Sequence, residues 1–297
     1  MWRSSFLFIG IIMFTAMSAF AQFKKHFYVE NSKDIKEVKV NLRLNSGTCI
    51  IKSSQEPGVF HMYGRTQSSD INHQYNKEIL DGTCYLNLIL DDNNAEGLSQ
   101  SISSNIFGEE TIEINNHWKI LLSQKETYSL HLKYGIGRAH IDLSNLNVEK
   151  FKLHSGRSDV TVGYFSENGN QTKMDTMYLK VDLGTVKATN LGQARSKVIM
   201  ADVGFGNLLI DLSELEEKHV TNNVKANVGA GNLYIGLPKN NVPIKIKLKN
   251  SWLCSVNLPS DFIKLSDNIF VNQLYKESET NAILIDVNVS MGSLIFK

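Results

Sequence analysis

Five basic residues stand at matching places in a stretch of alternating apolar and polar residues. Lys133, Lys152 and Lys180 each precede a glycine (Gly137, Gly156 or Gly184) by four positions, and Arg138 and Arg157 follow the first two glycines by one. If the three segments lie side by side as neighbouring strands about 4.8 Å apart, these cations form a basic strip, with His131 and Lys150 nearby. Ammonium and guanidinium groups so arranged hold carboxylate, sulfate or phosphate through charge-assisted hydrogen bonds. The chemistry on offer is therefore recognition of an anionic glycan or a phosphate-bearing polymer. The competing reading is a solvated face on which lysines alternate with aspartates such as Asp142 and Asp159, each exposed pair being worth little.

Reactive constellations are sparse. Gly135-Ile136-Gly137, Gly204-Phe205-Gly206 and Gly229-Ala230-Gly231 begin like dinucleotide loops. His140, Leu209 and Tyr234 occupy the place of the third glycine, and a strand pattern follows where a helix is required. There is no His-Glu-x-x-His, nucleophile elbow, Cys-x-x-Cys or phosphate-binding loop. Asp91-Asp92-Asn93-Asn94 offers oxygens to calcium, but the glycine and distal glutamate of such a loop are out of register, so a solvated loop is expected. His131, His140 and His154 fall on outward positions without the fixed spacing of a metal site, and no metal or cofactor is expected. Asp142, Asp159, Asp182, Asp202 and Asp211 also point outward. A polysaccharide-cleaving enzyme would need two such groups at a defined separation. No motif pairs them, so no catalytic residue is expected and an enzyme remains only an alternative. Of Cys49, Cys84 and Cys254 at least one must be unpaired, and the inward place of Cys49 favours a buried free thiol.

The elements that must position these side chains repeat. Two positions after Gly47, Gly137, Gly156, Gly184, Gly206, Gly231 and Gly292 stand Cys49, Ala139, Ser158, Val186, Leu208, Leu233 and Leu294. Four positions after stand Ile51, Ile141, Val160, Ala188, Ile210, Ile235 and Phe296, and three before stand Leu44, Tyr134, Leu153, Val181, Val203, Val228 and Val289. Period-two alternation on both sides of a turn means two strands with one face buried. The turn glycines, including Gly135, Gly204 and Gly229, are expected at corners where φ is positive and stacked neighbours leave no room for a Cβ. Agreement column by column predicts an all-β, single-chain β-solenoid of stacked rungs. An antiparallel sandwich would show similar alternation and is the competing architecture. Ile50, Leu209, Tyr234 and Ile295 fall on the nominally outward side, so that face is expected to be covered by another part of the chain.

The flanks bound the rest. Arg3, an apolar run from Phe6 to Phe20 and the small residues of Ala19-Phe20-Ala21 predict a secretory signal at 1–21, cleaved before Gln22. No cysteine at the cleavage site predicts a lipid anchor, and no later run is apolar enough for a membrane helix. Loss of Arg3 balances the basic residues against 30 acidic ones, which argues against nucleic acid as a partner. Residues 22–297 read as one solenoid domain: a less regular part, 22–128, with a long polar loop at 91–115, then regular rungs over 129–297. One helical turn is expected from Ser213 to Lys218, and a last rung from Ile283 to Lys297.

The run from Trp118 to Pro259 resembles the bacterial toast-rack domain and its candidate-adhesin relatives. The likeness rests on Trp118-Lys119-Ile120, on Leu130-His131-Leu132-Lys133-Tyr134-Gly135-Ile136-Gly137, on Ile141-Asp142-Leu143-Ser144-Asn145-Leu146, and on Asn227-Val228-Gly229-Ala230-Gly231-Asn232 leading to Gly236-Leu237-Pro238. The resemblance implies a single-chain β-solenoid, exported to the periplasm, cell surface or medium, with no catalytic motif. It implies surface adhesion or signalling at the cell envelope; with the basic strip, an envelope glycan or a surface protein is the expected partner. An envelope-stress or scaffold component acting through a protein partner is the alternative.

Overall fold

The structure, a computed structural model, describes residues 23–31, 34–66, 71–92, 116–213, 223–238, 242–277 and 282–297. The expected signal at 1–21, positions 93–115 of the expected loop, and the expected helical turn after Ser213 lie outside the described residues. In chain order the strands are β1 (Phe23–Val29), β2 (Glu37–Ser54), β3 (Phe60–Thr66), β4 (Ile71–Leu80), β5 (Thr83–Asp92), β6 (His117–Ser123), β7 (Thr127–Asp142), β8 (Asn147–Gly163), β9 (Met174–Val181) and β10 (Thr185–Thr189). After a 3-10 turn at Leu191–Ala194 come β11 (Ser196–Val203), β12 (Asn207–Asp211), β13 (Asn223–Val228), β14 (Asn232–Gly236), β15 (Ile244–Asn250), β16 (Cys254–Asn257), β17 (Ile263–Ser266), β18 (Ile269–Val271), β19 (Ile283–Val289) and β20 (Gly292–Phe296). Among the described residues no helix is long and apolar enough to cross a membrane.

All of these strands hydrogen-bond into one sheet, which a line of corners folds into two layers. The first layer runs β4-β5-β2-β7-β8-β9-β11-β13-β19-β15-β18-β17. The second runs β1-β3-β6-β2-β7-β8-β10-β12-β14-β20-β16. β2, β7 and β8 are long enough to serve both layers, whereas later rungs break at the corner into two strands. Successive rungs pair in parallel, the hallmark of a solenoid. Antiparallel strands close the stack: β4, β3 and β1 at one end, and β18 and β17 beside β15 at the other. Such strands shield rung edges that would otherwise recruit other chains.

The corner turns both limbs of a rung toward one interior. In β2 the buried residues are Val38, Val40, Leu42 and Leu44 before the corner and Cys49 and Ile51 after it, a change from even to odd positions. Ile141, Val160, Ile210 and Ile235 all belong to the resulting core. The void bounded by Leu42, Ile51, Tyr134 and Ile141 is only about 10 Å³, too small for a substrate to occupy. Cys49 and Cys84 are buried, Cys254 is half-buried, and all three thiols are free. Burial pushes the Cys49 thiol up to about 12.

Space, more than φ, dictates the corner glycines. Gly137 has φ +128°, and a Cβ there would lie 2.0 Å from the Gly47 carbonyl oxygen of the rung beneath. Of the turn glycines named above, only Gly47, Gly137 and Gly292 have positive φ. Gly206 and Gly231 lack it, yet a Cβ would lie 2.3 and 2.2 Å from the carbonyl oxygens of Gly184 and Gly206.

The register corrects the sequence reading at the third copy. Gly137 pairs with Ser158, so Gly156 lies level with Gly135 and that copy slides by two residues. Ser155, not Leu153, then follows Tyr134, and Val160 follows Ala139. Alternation survives a two-residue slide unchanged, so the pattern alone cannot distinguish Gly156 from Ser158. The misplaced column holds a buried serine pair, Ser155 Oγ to Ser158 Oγ at 2.7 Å. Two further expectations change. The C-terminal rung β19–β20 is not outermost: it inserts between β13–β14 and β15–β16. The outward apolar row is not fully covered by described residues, since Ile50 is 42% and Leu209 36% exposed.

Candidate anion-binding surface

The ladder decides which of the five expected cations meet. On the outer face of the first layer one row reads Arg43–Lys133–His154–Lys180. Lys152 lies in the next row, between His131 and Tyr178, and Lys150 in the row beyond, between Ser129 and Thr176. Arg138 belongs to the second layer, opposite Thr48 and Asp159, and Arg157 sits at the corner opposite Ile136. The five residues therefore do not make one strip. The slide at β8 moves Lys152 out of line with Lys133 and Lys180 and places Arg138 and Arg157 apart.

Charge pairing sorts them further. His154 Nε2 lies 2.7 Å and Lys180 Nζ 3.4 Å from the Asp182 carboxylate. Partial burial pulls that carboxyl upward, but the bond from His154 and the charge of Lys180 outweigh it and hold it below its usual range. Lys180 is thus largely neutralised. Among the described residues no ion pair engages Lys133, Lys150 or Lys152. Lys150 faces the field of Asp175, whose carboxylate is bonded to Lys197 at 2.9 Å, and Lys152 Nζ lies 5.5 Å from the centre of the Tyr178 ring. Between them His131 registers the positive field: burial, then Lys152, His154 and Lys133, lower its pKa.

This patch opens into a groove of about 390 Å³ whose walls include Lys39, Glu78, Tyr85, His131, Lys150 and Lys152. Lys39 Nζ lies 5.2 Å from the centre of the Tyr85 ring and 3.5 Å from Glu37. The sequence reading missed Lys39 and Tyr85, although both sit at polar-side positions of alternating runs, Val38-Lys39-Val40 and Cys84-Tyr85-Leu86. What it lacked was their pairing: Tyr85 faces Lys39, which faces Ser129.

Most of the outward carboxylates are engaged by neighbouring groups. Asp142 and Asp211 each accept a backbone N–H two residues on, from Ser144 and Ser213, at 2.9 Å. Asp202 accepts the Tyr178 hydroxyl at 2.5 Å and the Asn227 amide at 2.9 Å, and Asp159 stands between Arg138 and Thr185. No two of Asp142, Asp159, Asp182, Asp202 and Asp211 are ladder partners. His131, His140 and His154 lie on three different rows, opposite Lys152, Thr161 and Lys133. No group of three His, Cys, Asp or Glu among the described residues is placed to hold a metal.

A search of curated proteins finds no match. Among solved structures, the chain is similar to a candidate cell adhesion protein of Clostridium sporogenes, at 18% identity and TM-score 0.47, covering 93% of this chain and 99% of that one. Candidate adhesins of Bacteroides fragilis (12%, TM-score 0.35) and Parabacteroides distasonis (11%, TM-score 0.33) each cover 93% of this chain and 97% of their own. These likenesses are too distant to carry the assignment, which rests on sequence: residues 19–177 match the N-terminal domain of toast_rack, DUF2154. With parallel rungs and glycine corners running through that segment, the chain belongs to the toast-rack family.

Proposed function

We propose that this is an exported, non-catalytic, adhesin-like binding module of the cell envelope, with 1–21 removed as a signal and 22–297 acting as one unit. Its ligand is an anionic glycan or a comparable anionic envelope polymer, held on the outer face of the first layer. The observation that carries this reading is the cluster of Lys133, Lys150 and Lys152 near His131, three cations without an ion pair among the described residues, and an imidazole whose pKa Lys152 and Lys133 help burial to depress. Cations without an ion pair gain most from a multivalent anion, because each new contact is charge-assisted. The test compares retention of the mature chain on acidic and neutral polysaccharide columns with that of a Lys133→Ser, Lys150→Ser, Lys152→Ser variant. Salt-sensitive retention lost in the variant supports the reading; retention unchanged by the substitutions, or turnover of the polysaccharide, removes it.

A second reading is favoured by the corner facing solvent. Leu183 is 60%, Phe205 72%, Met291 46% and Trp252 90% exposed at the corners of four rungs, with Ala230 at the corner between Phe205 and Met291. An apolar ridge of this kind suits a protein partner and a scaffold or signalling role. Cross-linking that retrieves one stable partner, lost on Phe205→Ser with Trp252→Ser, while no polysaccharide binds, would replace the first reading with this one.

A further inference from the structure

We propose a second binding site on the outer face of the second layer, at the end of the stack closed by β1 and β3: a cleft for a sugar ring that carries an acid group. It takes its ligand class from the reading above but rests on different residues. The cleft holds about 760 Å³, within the range of small-ligand sites. Lys24, Lys25, Arg65 and Lys119 line it, against one carboxylate, Glu56. In a chain of net charge +1, this concentrates an attractive field for anions at one place.

The register builds the cleft. One outward row reads Lys24–Arg65–His117–Thr48–Arg138, and the row beside it reads His26–Tyr63–Lys119–Ile50–His140. Arg138, expected to belong with Lys133, is instead the far end of this cationic row, which Asp159 terminates. Among the described residues Lys24, Arg65 and Lys119 form no ion pair, while Lys25 Nζ donates to the Ile71 carbonyl at 3.0 Å. The His26 and Tyr63 rings stack at 4.5 Å with 6° between their planes, and the Tyr63 hydroxyl lies 3.5 Å from Glu56 Oε2. Tyr63 packs against His26 on one side and is still 38% exposed. Gly64, between Tyr63 and Arg65, leaves β3 without a side chain where Trp118 packs, since a Cβ there would strike the indole ring.

A stacked, half-exposed ring edged by cations without ion pairs offers an apolar platform to a sugar face and charge-assisted donors to its acid group. A bare anion would have no use for the platform. A nucleic-acid strand needs stacking surfaces spaced along a continuous basic track, whereas the rings here, His26, Tyr28, His61 and Tyr63, gather at the β1–β3 end and the cationic row beside them stops at Asp159.

The experiment is calorimetric titration of the mature chain with tetragalacturonic acid, its methyl ester and an oligothymidylate. Two variants are compared with it: Arg65→Ser with Lys119→Ser in the cleft, and Lys133→Ser with Lys152→Ser on the other layer. Both change exposed residues, and urea unfolding midpoints verify that each variant folds. We expect the acid to bind and the ester not to. The cleft variant should weaken binding at least about tenfold, the loss of one charge-assisted contact, and Tyr63→Ala should weaken it as well. Loss only in the first-layer variant would overturn the cleft and leave the other face standing. Equal binding of acid and ester, or tighter binding of oligothymidylate, would overturn the acid-sugar assignment. No binding of the acid by the wild-type chain would overturn both sites.

Discussion

Replacing Gly231 by alanine should cost far more stability than the same change at Gly229, two residues away. A Cβ at Gly231 would lie 2.2 Å from the Gly206 carbonyl oxygen and 2.7 Å from Val203 Cγ1. That carbonyl accepts the Asn232 N–H at 2.9 Å, so it cannot retreat without losing a bond that joins two rungs. Overpacking of 1–3 kcal/mol and one weakened buried hydrogen bond of about 1 kcal/mol are offset by under 1 kcal/mol of unfolded-chain entropy, for a net loss of about 1–4 kcal/mol. At Gly229 the closest atom to a Cβ is 3.1 Å away, φ is not positive and the site is exposed. The entropy gain there nearly cancels the crowding, and the change should stay within about 1 kcal/mol. Urea unfolding with a shared m-value measures both. Equal losses, or a larger one at Gly229, would refute stacking of the corners as the reason for the glycine column.

Asn170→Ala should destabilise by about 2–4 kcal/mol in the same assay, because its buried amide donates to the carbonyls of Val148, Thr172 and Ala194 and accepts the Val148 N–H. A thiol reagent at pH 8 should modify Cys254 in the folded chain, and Cys49, held as the thiol up to about 12, only after denaturation, as peptide mapping would reveal. His131 should titrate below its ordinary 6.5 by NMR. The unfolded chain then takes the proton first, so the His131 contribution is intact above that value, is lost as pH falls toward the folded pKa, and disappears in His131→Gln. An acidic polymer bound over Lys133 and Lys152 should raise the His131 pKa, because it adds negative charge beside the imidazole.

The rung plan was legible because its causes are local. Apolar alternation around Gly137, Gly206 and Gly231 fixed which side chains face inward, and those glycines align in the ladder as their columns require. What alternation cannot supply is the offset between neighbouring rungs. A buried serine pair fits at Ser155 and Ser158, so Gly156 passed for the corner and Lys152 fell in the wrong row. Spatial order escaped as well, since nothing in Ile283–Val289 says that it will slot between β13 and β15. The proposed anion-binding surface was half visible: Lys133, Lys150, Lys152 and His131 stand on consecutive rungs, but Lys39, Tyr85 and the cleft around Arg65 arise from pairings of β5, β3 and β6 with strands far away in sequence.

Binding of one polymer in two charge states tests the central claim most directly. Polygalacturonate and its fully methyl-esterified form share backbone and length, and each charged carboxylate of the first is a neutral methyl ester in the second. Titrated into the mature chain over a series of sodium chloride concentrations, the acid should bind with an affinity that falls steeply as salt rises, and the ester should not bind. Equal affinity for the two, or an affinity for the acid that salt leaves unchanged, would contradict an outer surface built to hold anions.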